Sequence, residues 1–367
     1  MADTSVSYKC PNCGAPLSFI PGNDKVSCEY CSNEFEVSAI EEMFQKQREL
    51  AAKAEEAEAA KWNTQNAGDE WSAEEISSLH AMTCSSCGAE IVCDENTMAT
   101  ECVYCGNPTM IPKRFEGSLK PDLVIPFKKS KEDAVAALKK FYEGHYLLPS
   151  NFTANNRVEA IQPMYVPFWL FDSGVEAHAD FKAEKIHRHE TATEIITETQ
   201  VFNVHRAGKM QFEKIPADGS RKMDDAYMES IEPFNYSELE EFKTGYLTGY
   251  LADKFDVTAE ECAARADNRV QNSALEVLKN SVQGYTSCTV ENSAIIKQEG
   301  KVIYAMVPVW ILTTRYNDVA YTFMMNGQTG KVVGSLPYDK TKAILYPGVC
   351  SLILVPILYF ILKMFLV

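Results

Sequence analysis

Apolar and polar positions divide this chain into stretches of different period. From Ala343 to Leu362 the run AILYPGVCSLILVPILYFIL extends for 20 residues without a charged side chain. As a helix rising about 1.5 Å per residue it would cover roughly 30 Å, the thickness of bilayer hydrocarbon. Lys340 and Lys342 precede it, Tyr346 and Tyr359 lie near its edges, and Pro356 should kink it, features that membrane helices accommodate. Length favours a single pass over a monotopic insertion or a buried core helix, and the flanking lysines favour a cytosolic bulk. No signal-peptide pattern stands at Met1 to Lys9.

Helical and strand periods fill the rest. Ala39 to Lys61 is rich in Ala, Glu, Lys and Gln with a thin apolar stripe, Ile40, Met43, Phe44 and Leu50, which predicts an exposed helix serving as a solvated spacer. Capping boxes are expected at Ser72–Glu75, Ser130–Asp133 and Thr258–Glu261. The second opens a helix ended by Gly144, and the third a helix reaching about Val282. Residues 165–215 alternate in strand fashion, and Val166-Pro167-Phe168-Trp169-Leu170 recurs as Val307-Pro308-Val309-Trp310-Ile311. Each proline is expected to open a strand and each tryptophan to anchor a core.

Cysteines add a second repeat. Cys10-x-x-Cys13 is followed after 14 residues by Cys28-x-x-Cys31, and Cys84-x-x-Cys87 after 14 by Cys102-x-x-Cys105. An offset of 74 superimposes the two and also matches Gly14 with Gly88, Ala15 with Ala89, Tyr30 with Tyr104 and Asn33 with Asn107. Each Cys-x-x-Cys turn presents two thiolates to one side of a metal, and two turns joined by a hairpin close a four-sulfur site with no open position. The hairpin turns are expected at Gly22-Asn23-Asp24 and Asp94-Glu95-Asn96. The chemistry selects Zn2+, two per chain, with iron in a rubredoxin-like site as the alternative. Redox pairs and disulfides fit less well, since the motif occurs twice per module without a βαβ surround and the expected compartment is reducing. Cys93 aligns with Phe19 and is expected to be a packed thiol, while Cys262, Cys288 and Cys350 stand alone.

The fold class expected is therefore α+β: two N-terminal four-cysteine zinc ribbons, a mixed α+β central domain with two related β-meanders, and a C-terminal transmembrane helix. The boundaries are 1–38 for the first ribbon, 39–82 for a helical linker, 83–115 for the second ribbon, 116–340 for the central domain and 343–367 for the anchor.

Charge narrows the partners. Over 367 residues, 35 Lys and Arg face 51 Asp and Glu, a net charge of −16. Residues 83–112 contain Glu90, Asp94, Glu95 and Glu101 and no Lys or Arg. Such ribbons repel phosphates, so protein contact is favoured over nucleic acid. No catalytic constellation stands out. Met325 and Val332 break a P-loop reading around Gly330-Lys331, and Ser220-Arg221-Lys222 is S-x-K, not S-x-x-K. His187 and His189 share a strand face with His178 or His205 nearby, but without a third ligand at a fixed offset they read as surface imidazoles. The expectation is a non-enzymatic, membrane-tethered scaffold that binds protein partners. The alternative is a zinc-ribbon nucleic-acid-binding protein.

The paired ribbons, Pro121 to Phe127, Tyr165 to Phe171, Gly219 to Met223 and Phe323 to Lys331 together carry a resemblance. The chain resembles a bacterial membrane-anchored family described as TFIIB-type zinc-ribbon-containing proteins, whose members are sometimes labelled a primosomal replication-restart helicase. The missing phosphate loop does not support that label. The resemblance implies zinc on Cys10, Cys13, Cys28, Cys31, Cys84, Cys87, Cys102 and Cys105. It also implies a cytosolic body tethered to the cell membrane, and protein partners of flotillin-like or phage-shock type in envelope stress.

Overall fold

The computed structural model describes residues 8–58, 62–94, 97, 99, 101–115, 119–155, 158–190, 194–317 and 319–365. Expectations for residues 1–7, 59–61 and 95–96 lie outside them. The chain divides into two compact units. The first comprises Met1–Gln65, Leu170–Pro216 and Ala263–Val302, and the second Asn66–Trp169, Ala217–Cys262 and Ile303–Val367.

In the first unit, Ser18–Phe19, Lys25–Ser27 and Glu34–Glu36 form a small antiparallel sheet of their own. The unit's larger sheet is set by alternation. Val175, Ala177, Ala179, Phe181 and Ala183 point one way and pack with Val270, Ala274 and Leu278 of the helix Ala259–Asn280. Strand Ser287–Lys297 pairs antiparallel along this stretch, Ser287 opposite Glu184 and Lys297 opposite Val175. The intervening residues, His178 and Asp180, line a cleft of about 570 Å³ together with Met43, Phe44, Gln47 and Leu50. The helix Val37–Glu58 is thus not a solvated spacer. Its thin stripe, Met43, Phe44 and Leu50, faces the cleft beside His178 and Ala294, and Gln47 Nε2 donates to Asp180 Oδ2 at 3.4 Å.

In the second unit, Glu90–Asp94 pairs antiparallel with Leu79–Thr83 on one side and with Ala252–Asp253 on the other. Leu251–Ala252 in turn runs parallel to Met164–Tyr165. A core of Ala134, Leu138, Phe152, Ile161, Trp310, Leu312, Phe323 and Met325 forms where the helix Lys131–Tyr142 covers the hairpin of Gly300–Tyr316 and Val319–Asn326. All three capping boxes are present, with Ser72, Ser130 and Thr258 each exchanging hydrogen bonds with the acidic residue three positions on.

The Pro-x-Trp segments play equivalent parts. Trp169 Nε1 donates to the Val257 carbonyl at 2.9 Å, and Trp310 Nε1 to the Lys129 carbonyl at 3.0 Å. Both acceptors immediately precede a helix N-cap, so each indole fixes where a helix starts. The Pro167 carbonyl accepts from Gly219 N–H at 2.9 Å and the Pro308 carbonyl from Gly327 N–H at 2.8 Å. Glycine is required at the second of these, where an added Cβ would lie 2.7 Å from the Phe127 ring and 2.9 Å from Pro308. The prolines do not open strands: they sit inside Gln162–Glu190 and Gly300–Tyr316. Pro308 is tolerated there because pairing with Val124 ends at Met306 and pairing with Asn326 begins at Val309. Replacing buried Trp169 by Phe keeps an aromatic side chain but leaves a small void and strands the Val257 carbonyl. We expect a loss of about 1–3 kcal/mol in urea unfolding; unchanged stability would mean that the indole bond contributes nothing.

The helix Lys340–Phe365 carries Pro347 and Pro356 within it. Its residues Lys340–Tyr359 are long and apolar enough to cross a membrane, and no part of the apolar window is buried.

Candidate metal centres

The +74 repeat persists in the backbone. Cys10 N–H donates to the Ala15 carbonyl at 2.7 Å and Cys84 N–H to that of Ala89 at 2.8 Å; Gly14 and Gly88 N–H turn back to the Cys10 and Cys84 carbonyls. The second turns repeat this through Cys28 with Asn33 and Cys102 with Asn107. Tight closure demands a left-handed residue after each turn. Gly14 and Gly88 supply it at φ 73° and 71°, and Ser32 stands at φ 57° where its counterpart is Gly106 at 67°.

These turns bring together two groups of four thiols, Cys10, Cys13, Cys28 and Cys31, and Cys84, Cys87, Cys102 and Cys105, with sulfurs all within 4.8 Å of one another in each group. The shortest separations are 3.5 Å for Cys10–Cys31, 3.3 Å for Cys13–Cys28, and 3.6 Å for both Cys84–Cys105 and Cys87–Cys102. A tetrahedron with metal–sulfur bonds of ~2.3 Å has an edge of ~3.8 Å, so either group can hold a metal ion with little adjustment. The spacing is far above the ~2.05 Å of a disulfide. Backbone N–H groups are already aimed at the sulfurs, from Asn12 to Cys10 Sγ and from Ser86 to Cys84 Sγ, both at 3.4 Å. The Asn33 backbone N–H, with its side-chain amide adding to it, holds the Cys31 thiol down at about 6, which favours the thiolate a metal needs. Cys93 stands apart as a packed thiol, pushed up to about 11 by burial.

Surroundings distinguish the two centres. The second is wired into its unit: Thr313 Oγ1 donates to the Val103 carbonyl at 2.6 Å, Arg315 Nε to that of Cys105 at 3.3 Å, and Lys222 Nζ to that of Cys87 at 3.0 Å. These donors escaped sequence reasoning because they come from more than a hundred residues downstream, with no local pattern to mark them. The ring of Tyr104 is half-buried, and its enclosed hydroxyl meets Met164 Sδ at 3.9 Å, close to Ser220 and Asp253. The first centre is held through its first turn and the residues before it, by Asn203 Nδ2 donating to the Pro11 carbonyl at 3.1 Å and by Tyr8 against Phe44 at 5.2 Å.

Burial pushes the Asp253 carboxyl from 3.8 up to about 7. The folded state therefore retains a proton that the unfolded chain has lost across that window, and stability falls as pH rises through it. Asp253→Asn should flatten the dependence by on the order of a few kcal/mol between pH 4 and 7, read from urea midpoints. A parallel pH profile in variant and parent would refute a buried, protonated Asp253.

The histidines form no comparable group. His205 Nδ1 lies 2.8 Å from Asp180 Oδ1 with the His178 ring 6.0 Å away, while His187 and His189 are exposed farther along the strand. Among the described residues, only the two cysteine groups bring three or more ligand atoms this close.

No protein-family model matches the chain. No solved structure matches it. It is similar to the uncharacterized protein YdjG of Bacillus subtilis (strain 168), with 33% identity over 337 residues covering 92% of each chain.

Proposed function

The chain belongs to the family of the Bacillus subtilis protein YdjG, and we propose that it is a non-enzymatic, membrane-tethered scaffold whose metal-bound ribbons hold protein partners at the cytoplasmic membrane. The observation that carries this reading is the closure of both cysteine groups: four sulfurs each, at tetrahedral spacing, leave a bound metal no open position for chemistry. Zinc is the metal we assign to both. It would fix the knuckles and present their outer surfaces, and the chain's own residues would make the contacts. Support for the tether comes from the uncovered apolar helix Lys340–Phe365. Ribbons of the TFIIB type, partners of flotillin-like or phage-shock kind and a place in envelope stress belong to the same proposal, as does a cytosolic bulk.

Recovery of partners from detergent extracts tests it. Proteins that co-purify with the full chain should be lost when residues 8–36, which carry a sheet of their own, are deleted, with the second metal and membrane association kept. Undiminished recovery would remove the first ribbon from the adaptor role. Retention of duplex DNA or RNA at physiological salt would instead favour the nucleic-acid reading.

A further inference from the structure

The internal repeat supplies a template for what covers a ribbon. In the second ribbon the knuckle Cys102–Asn107 is covered by its own unit. Val103 is 3% exposed and Cys93 fully buried. The Tyr104 hydroxyl is enclosed, and a strand supplies a hydroxyl donor from Thr313 and a guanidinium donor from Arg315 to the knuckle carbonyls.

The equivalent positions of the first ribbon are bare. Tyr30, matching Tyr104, is 84% exposed, and Phe19, matching Cys93, is 59% exposed. Glu29 replaces Val103 and lies at the surface. Among the described residues no protein donor reaches the carbonyls of Glu29 or Cys31. The ribbon is already fastened to its unit through Pro11 and Tyr8, residues outside this knuckle. A tyrosine ring exposed between two unpaired carbonyls, on a module fastened to its unit elsewhere, forms a surface of the kind that anchors protein contacts.

We propose that the knuckle Cys28–Asn33 docks onto a basic β-strand of another protein, which buries the Tyr30 ring and donates to the Glu29 and Cys31 carbonyls. Charge selects that partner. Asp24, Glu29, Glu34 and Glu36 outnumber Lys9 and Lys25 on the described part of the ribbon, and Lys25 is 3.6 Å from Glu34. Glu29 stands where the covered ribbon has valine, so the incoming strand needs a Lys or Arg opposite it. Nucleic acid is repelled by the same acids. A second copy of this chain is disfavoured too: its net charge is −16 and its own strand with Thr313 and Arg315 is already engaged.

This inference rests on the adaptor reading and can fail separately from it. p-Benzoylphenylalanine is placed at position 30, or at 104 as the covered control, in the full-length membrane-bound protein, and adducts are mapped by mass spectrometry. Irradiation should yield a protein adduct at 30 but not at 104, mapping to a basic extended segment. Combining Glu29→Lys with Glu34→Lys should lower its yield at least tenfold while metal content is unchanged. A nuclease-sensitive adduct, an adduct to another copy of this chain, indifference to charge reversal, or no adduct at 30 would each overturn the docking face. If partners still depend on the first ribbon in the deletion experiment, only this face is lost; if they do not, the adaptor reading falls.

Discussion

Cys102→Ser is expected to lower the metal content from two ions per chain to one and to destabilise the second unit globally. Cys28→Ser should cost the same single ion with only local effect. The difference follows from how each centre is built in. Glu90–Asp94 is a shared strand, paired with Leu79–Thr83 on one side and with Ala252–Asp253 on the other. Thr313, Arg315 and Lys222 are bonded to the knuckle carbonyls. Free energies of ~10–16 kcal/mol hold structural zinc in isolated peptides, and losing even part of that would remove most of the ~5–15 kcal/mol that keeps a domain folded. The first ribbon has its own sheet of three short strands, so its disorder need not spread. Metal analysis gives the stoichiometry, and amide exchange at residues 251–253 reports the spread. Equal effects of the two substitutions on that segment, or an unchanged metal count, would contradict this account.

Ile353→Arg with Leu354→Arg should release the protein from carbonate-washed membranes. Both side chains are exposed, at 56% and 55%, in the middle of the apolar helix. Each arginine at the centre of a span costs about 2.5–3.5 kcal/mol, so the pair shifts partitioning by roughly four orders of magnitude. Retention of the double variant in the membrane fraction would mean that something other than this helix provides the attachment. The paired lysine variant at exposed Val319 and Tyr338 serves as a control for added charge away from the helix.

What could be read in advance was local. The cysteine groups follow from two spacings and a glycine, because a metal-binding knuckle is complete within about six residues. The capping boxes at Ser72, Ser130 and Thr258 follow from side chains three positions apart. The apolar run at 343–362 declares itself by length. Contacts that span the chain were not legible in this way. Nothing near Val37–Glu58 reveals that His178, Asp180 and Ser293 lie across a cleft from it. Likewise, the donors from Thr313 and Arg315 to the second ribbon become visible only once the sheet has its register. The tryptophan repeat was seen as a sequence similarity, but its role in marking helix starts emerged from the carbonyls of Val257 and Lys129. Pro167 and Pro308 were misplaced because proline reports a missing donor, and the neighbours decide whether that donor is needed.

The order in which segments alternate between the two units has a bearing on biogenesis. Because the first unit needs Ala263–Val302 and the second needs Ile303 onward, neither can be finished while the ribosome has delivered only the front of the chain. The first unit can close only once Val302 has been made, and the second later still, so the front of the chain cannot mature as a domain by itself. Most of the polypeptide is thus made before either unit can close, and splitting the gene anywhere between residues 66 and 302 would leave neither unit whole.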